Sequence, residues 1–278
     1  MQCSVSILYC FGMTRSGSTL CFEYVRAALG LYRMPQAKLC LENLRNRNDN
    51  YIPTSDLKGS FLYDIQLASG DKPVAIKTHG RASEDLLEYI RINDCPVTVS
   101  VRDPRDILIS LIEVGEKSRK EGHKDFSPIC SFEDALSVLE GQVSQLESWR
   151  PLLVEGRAFL VVYEDLIKDP EDLLAYVGNA LGKDPASAQG AKEIVDRAFT
   201  QFNKGVPGRG ISLLAGDERD RVDRLLLDRL NRAIEPFWEY SSSMTTVEEY
   251  STSMTTLEEY IQSLKRNTKK TLKRLLGS

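Results

Sequence analysis

The chain carries no apolar run approaching the length needed to span a bilayer, and its N-terminus lacks a charged region followed by a cleavable apolar segment. The expectation is a soluble, cytoplasmic protein. No C-x-x-C pair occurs among the six cysteines, Cys3, Cys10, Cys21, Cys40, Cys95 and Cys130, and several lie in apolar runs where a thiol packs like a small hydrophobe. They read as reduced thiols of an intracellular protein. Excess positive charge is missing too: 36 Lys and Arg stand against 40 Asp and Glu, for a net charge of -4 and a pI near 5.5. That balance argues against general nucleic-acid binding, which requires a basic face, so any anion site must be local. Histidine is scarce, with only His79 and His123 in 278 residues.

What remains is ordinary globular material, 42% hydrophobic and 27% charged, enough for one large domain or one domain with an appendage. The most distinctive stretch is Phe11-Gly12-Met13-Thr14-Arg15-Ser16-Gly17-Ser18-Thr19-Leu20. It follows the apolar run Val5 to Phe11 and precedes Cys21 to Leu29, whose apolar residues recur at helical spacing up to Gly30. Strand, small-residue turn and helix in that order aim backbone N–H groups and the positive end of a helix dipole at one point, which makes a phosphate site. Against the pattern G-x-x-x-x-G-K-[ST], the two glycines and Thr19 are in place, the lysine position is Ser18, and the nearest cation is Arg15. The loop is thus P-loop-like without the usual triphosphate lysine. A small turn after a strand also serves purely structural ends in many α/β proteins.

Three more strand-and-helix units follow. Val74 to Thr78 reads as a buried strand ending in Lys77-Thr78-His79-Gly80, and Ala82 to Ile92 as a helix with Ser83 as N-cap. Pro96 to Val101 is a third strand, and Arg102-Asp103-Pro104-Arg105-Asp106 turns into an apolar helix from Ile107 to Ile112. Charged residues from Glu113 to about Asp125 read as a mobile loop, and Phe132 to Trp149 as an amphipathic helix. Arg157 to Tyr163 is the fourth strand; Tyr163-Glu164-Asp165-Leu166 leads into a helix from Asp172 to Leu181 closed by Gly182. The fold class is therefore α/β, a central parallel sheet with helices on both faces, P-loop-like, with a helical C-terminal extension.

In such sheets ligands sit beyond the carboxyl ends of the strands, which places Lys77, His79 and Arg102 on the rim of the anion loop. His79 is the better of the two histidines for a general base near neutral pH, while His123 lies in a charged loop. Taken alone, a histidine at a strand end is more often a hydrogen-bonded spacer than a base. Ser110, eight residues after Arg102, shares its face only if Arg102 precedes the helix and reaches along it; alternatively Arg102 and Arg105 pair with Asp103 and Asp106 as surface salt bridges. Asn203-Lys204-Gly205-Val206-Pro207-Gly208-Arg209-Gly210 suits an anion-clasping flap or a plain connector, and a last amphipathic helix runs from Asp217 to Ile234. Residues 1–238 form the α/β domain. In 239–278, Tyr240 to Glu249 recurs almost unchanged as Tyr250 to Glu259, followed by a basic tail that reads first as a partly ordered, solvated terminus and second as a basic amphipathic helix able to meet an anionic membrane or a partner.

Taken in order, the anion loop, Lys-Thr-His, Arg-to-Ser at eight residues, Tyr-Glu-Asp-Leu and the late Lys-Gly loop resemble the sulfotransferase family that uses 3'-phosphoadenosine 5'-phosphosulfate (PAPS), over roughly Val5 to Arg209. The resemblance implies that Thr14, Arg15, Ser16, Gly17, Ser18 and Thr19 hold the 5'-phosphosulfate. It implies Lys77 near the transferred group, His79 as catalytic base, Arg102 and Ser110 on the 3'-phosphate, Tyr163 beside the nucleotide, and Lys204 and Gly205 in a closing loop. It further implies sulfuryl transfer to a hydroxyl of a small-molecule, sugar or lipid acceptor, the bisphosphate PAP as product, and no metal. The chain departs from the family pattern at Leu20, where an adenine-stacking aromatic is common, at Asn203, where an arginine often stands, and at Gly210, where a tryptophan often follows. A P-loop-type small-molecule kinase and a non-catalytic nucleotide-binding or assembly module are the other readings. The acceptor pocket is expected in the least patterned segments, Leu31 to Leu67 and Glu113 to Ile129.

Overall fold

The computed structural model describes residues 7–30, 51–52, 65, 73–180, 190–195 and 206–234. The chain divides into two compact units, Met1–Ala233 and Ile234–Ser278. The boundary at 238/239, the duplicated segment and the basic tail lie outside the described residues, as do Gly182, Asn203, Lys204 and Gly205.

Four strands form a parallel sheet: β1 (Ile7–Gly12), β2 (Val74–Thr78), β3 (Val97–Val101) and β4 (Ala158–Val162), in the order β2-β1-β3-β4. β1, β2 and β3 are buried along their whole length, as their near-continuous apolar runs require when helices cover both faces. The edge strand β4 is only partly buried. The register brings the strand ends level: Phe11 is opposite Thr78, Gly12 opposite Ser100, and Val101 opposite Val162. The residues that follow each strand consequently share one rim.

On one face, α1 (Ser18–Ala28) packs with the later helix Glu171–Ala180 over Leu8, Cys10, Ala75 and Val161. On the other, Phe11 stacks on the fully buried Trp149 with ring centroids 5.1 Å apart. Ser83 caps α2 (Glu84–Ile92) by accepting from the Leu86 N–H, as its place before an apolar period predicts. Asp103 caps α3 (Pro104–Glu121), with Pro104 in the first turn where its missing N–H costs nothing.

Two expectations need correction. The charged run from Glu113 is helical, since α3 continues to Glu121 and ends at Gly122 in the left-handed conformation. Charge is no helix breaker when it is paired at i,i+4: Glu116 bonds Lys120 and Lys117 faces Glu121. The last amphipathic helix is interrupted. It runs Gly216–Val222, passes through a π turn at Asp223–Leu227, and resumes at Asp228–Ile234.

Candidate functional site

The order of the sheet fixes where a ligand can sit. From β1 the chain moves outward to β2, then crosses back to β3 on the other side, so the crevice between the ends of β1 and β3 is the switch point. The turn after β1 fills the floor of that crevice. Its backbone enters the left-handed region at Arg15 (φ 68°) and again at Gly17 (φ 80°). For a residue with a side chain, Arg15, this costs about 1–2 kcal/mol, a strain of the kind concentrated at ligand sites. Ser16 locks the turn: its N–H donates to the Met13 carbonyl at 3.1 Å, and its hydroxyl, 2.6 Å from the same oxygen, also lies 3.2 Å from the Ser100 carbonyl. Side chains are excluded where the turn is tightest. A Cβ on Gly12 would come within 2.5 Å of Ser18 Cβ, and one on Gly17 would overlap the Tyr163 ring. No described side chain caps α1 at Gly17, and the first-turn N–H groups of a helix have no partner within it, the geometry that suits an anion.

The side of the rim toward β3 is dense in guanidinium groups. Arg102, 9% exposed, lies over the Tyr163 ring at 4.3 Å from its centroid. Its Nη2 donates to Asp106 Oδ2 at 3.1 Å, and its Nη1 approaches the Arg15 carbonyl at 3.4 Å. Its Nε, buried, has no hydrogen-bond partner among the described residues; Glu164 Oε1 stands 4.0 Å away. Arg15 Nε donates to the Ser110 hydroxyl at 2.9 Å. Burial, and then the neighbouring Arg102 charge, lower the Arg15 pKa. Glu164 behaves oppositely: burial pushes its carboxyl up to about 7 despite Arg102. Two guanidiniums this close, with an orphaned buried N–H between strand ends, fit a doubly charged anion.

The side toward β2 is built differently. Lys77 Nζ donates to Thr19 Oγ1 at 2.6 Å, tying the end of β2 to the first turn of α1. His79 Nδ1 lies 2.5 Å from the Gly12 carbonyl, which can only accept, so Nδ1 carries the proton and Nε2 keeps a free lone pair. Burial, and more weakly the charge of Lys77, lower its pKa to about 4, with the Gly12 hydrogen bond opposing them. The imidazole is therefore neutral at physiological pH. Around it, Tyr51 tilts against the ring at 5.5 Å, Thr78 Oγ1 donates to the Ile52 carbonyl at 2.9 Å, and Trp149 Nε1 donates to the Gly80 carbonyl at 2.9 Å.

The structure thus brings Arg15, Ser16, Gly17, Ser18, Thr19, Lys77, His79, Arg102, Ser110 and Tyr163 to one rim, with Thr14 in the turn. Their division of labour differs in detail from the sequence reading. Ser16 spends its N–H and hydroxyl inside the turn. Arg15 reaches toward Ser110, on the Arg102 side. Both Arg–Asp pairs weighed from sequence form, Arg102 with Asp106 and Arg105 with Asp103, yet the arginines are 9% and 8% exposed at their side chains. Surface ion pairs they are not. The sequence reading has Asp106 only as a surface ion-pair partner, although its place one helical turn beyond Arg102 fits the buried pair, and it gives Tyr51 and Glu164 no individual role at the site.

Fold and rim together define an α/β protein of the P-loop-like class. Family comparison makes this specific: the sulfotransferase domain matches residues 8–215, and the chain belongs to that family. Solved structures agree in fold. Mouse sulfotransferase SULT7A1 complexed with PAP is similar at 17% identity and TM-score 0.52, covering 82% of this chain and 85% of that one. Retinol dehydratase with retinol and PAP is similar at 15% identity and TM-score 0.55, covering 85% and 84%. The same enzyme with androsterone and PAP gives 16% and 0.52, covering 81% and 80%. Comparison with curated protein sequences returns no match. Among the described residues no cluster of His, Cys, Asp or Glu is placed to hold a metal ion, and no helix is long and apolar enough to cross a membrane.

Proposed function

We propose that residues 1–238 transfer the sulfuryl group of PAPS to a hydroxyl of a small-molecule, sugar or lipid acceptor, with His79 as general base. The observation that carries this is the His79 tautomer: Nδ1 held by the Gly12 carbonyl leaves Nε2 as a neutral, unprotonated acceptor beside the anion turn. The family supports the reaction class, and PAP in the similar structures supports the donor.

PAPS supplies an activated sulfuryl group whose S–O bond to the 5'-phosphate breaks as the acceptor O–S bond forms. The α1 N-terminus, the turn N–H groups and Lys77 then meet charge growing on the departing phosphate, a stabilisation that needs donors already in place. His79 Nε2 takes the acceptor proton, a step that contributes typically ~10²–10⁴ in rate. Arg102, stacked on Tyr163, and Ser110 hold the 3'-phosphate; Lys204 and Gly205 close over it. Retinol and androsterone, bound in the retinol dehydratase structures, are both hydrophobic alcohols and set the first acceptors to try. The cytoplasm is the compartment this reading implies, with Cys10, Cys21, Cys95 and Cys130 as free thiols.

The test is turnover with PAPS across a panel of phenols, sterols, alkyl alcohols and sugars, read by mass spectrometry beside PAP binding. A sulfated product that vanishes in His79→Ala is expected. Magnesium-dependent ATP turnover with no affinity for PAP would replace this reading with a kinase.

A further inference from the structure

The segment 206–210, just beyond the proposed closing loop, is fastened to the anion site by one carboxylate outside the residue set assigned above. Asp106 is 2% exposed in the first turns of α3. Its Oδ2 accepts from Gly208 N–H at 2.9 Å and from Arg102 Nη2 at 3.1 Å; its Oδ1 accepts from Gly210 N–H at 2.7 Å. Arg102 Nη2 in turn lies 3.5 Å from the Val206 carbonyl. Backbone geometry is set for this grip. Gly208 has φ 80°, and a Cβ on Gly210 would lie 2.5 Å from Arg105 Cβ and overlap the Arg105 carbonyl. The tryptophan common at the Gly210 position has no room here. Next to it, Arg209 makes a two-pronged ion pair with Glu113 of α3, a second tie on the same short helix Arg209–Leu213.

We infer that Asp106 is a positioning residue that couples the placement of the 206–210 segment to the orientation of Arg102, so that both are delivered to the nucleotide's 3'-phosphate as one unit. Asp106 does not itself touch the nucleotide; an acceptor-only carboxylate would repel it. Its bond to Arg102 orients a guanidinium whose remaining N–H groups can, and its bonds from Gly208 and Gly210 hold the segment beside it. The buried position makes each charge-assisted bond count, and losing the charge leaves N–H groups facing an amide that accepts with one oxygen. This rests on the PAPS reading of the rim for the identity of the ligand, while the fastening itself is independent of it.

Asp106→Asn keeps the shape and removes the charge. The expected result is PAP binding weakened about tenfold or more, the size of one lost charge-assisted hydrogen bond, with the KM for PAPS rising alongside and the KM for the acceptor unchanged. Preference for PAP over adenosine 5'-monophosphate should shrink, which a general loosening of the fold would not select for. Trypsin should cut the Arg209–Gly210 bond several-fold faster in the nucleotide-free variant than in the wild type. Gly208→Ala, whose Cβ meets nothing within 4 Å but strains the φ of 80°, provides a second variant and should shrink the same preference. If Asp106→Asn folds and keeps wild-type PAP preference and tryptic resistance, the inference is overturned; if it does not fold, an unchanged preference and resistance in Gly208→Ala overturn it. A wild-type protein that does not prefer PAP over the monophosphate defeats the PAPS reading, and the tryptic comparison still decides the fastening.

Discussion

The two flanks of the anion turn solve opposite electrostatic problems. Toward β3, Arg15 and Arg102 crowd together, Arg15 donating to Ser110 and Arg102 paired with Asp106 and lying over the Tyr163 ring. Toward β2, burial strips His79 of charge, and a single carbonyl fixes its tautomer. Burial drives both results. A guanidinium cannot give up its proton in a protein, so it recruits carboxylates and rings; an imidazole can, so it becomes neutral. The first flank is suited to holding an anion and the second to moving a proton, which means that substitutions on the two sides should separate binding from turnover.

The largest separation is expected from His79→Ala, with turnover reduced roughly 10²–10⁴-fold while PAP affinity, measured by calorimetry, changes little. Gly17→Ala strikes the floor shared by both flanks. Its Cβ would overlap the Tyr163 ring at a φ of 80°, so PAP binding and turnover should fall together, on the order of 10²-fold, in parallel titrations and rate assays. Arg102→Ala should weaken PAP by about 1.5–3 kcal/mol and reduce its advantage over the monophosphate, with turnover at saturating PAPS much less affected. Asp106 keeps the Gly208 and Gly210 N–H groups in that variant and is not left stranded.

Proton linkage sharpens the contrast at a smaller scale. His79 acts as a base only when neutral, so the acidic limb of kcat/KM for the free enzyme should lie near pH 4, well below the ordinary imidazole value of 6.5. Its stability contribution is present above 6.5 and declines as pH falls toward 4. Glu164 has the reverse sign: its folded pKa is raised from 4.5 to about 7, so its contribution is present below 4.5 and is lost as pH rises through 7. Glu164→Gln should therefore raise the melting temperature relative to wild type by a few degrees at pH 8 and by less at pH 5, read by thermal scans.

Much of this arrangement is visible in the sequence because it is local. The four apolar runs, Ser83 before α2, Pro104 opening α3 and the glycines of the turn each report their own backbone needs. Parallel strands of equal register then carry Lys77, His79, Arg102 and Tyr163 to one rim without further information. What the sequence hides is side-chain choice across long separations. Arg15 turns to Ser110, 95 residues away, and Asp106 holds Gly210, 104 residues away. Neither pairing follows from composition or periodicity. The charged end of α3 was obscured for another reason: polar runs look like loops unless their i,i+4 pairing is read. Tyr51 beside His79 falls in a segment without a clean period, and only the bridge of Tyr51 to Lys77 reveals its place.

Equilibrium binding of PAP to His79→Ala and Arg102→Ala, measured side by side with their turnover from PAPS, tests the division most directly. The account predicts near-normal PAP affinity with turnover nearly abolished in the first, and weakened PAP with turnover largely retained at saturation in the second. Normal turnover in His79→Ala, or PAP bound by Arg102→Ala as tightly as by the wild type, would contradict it.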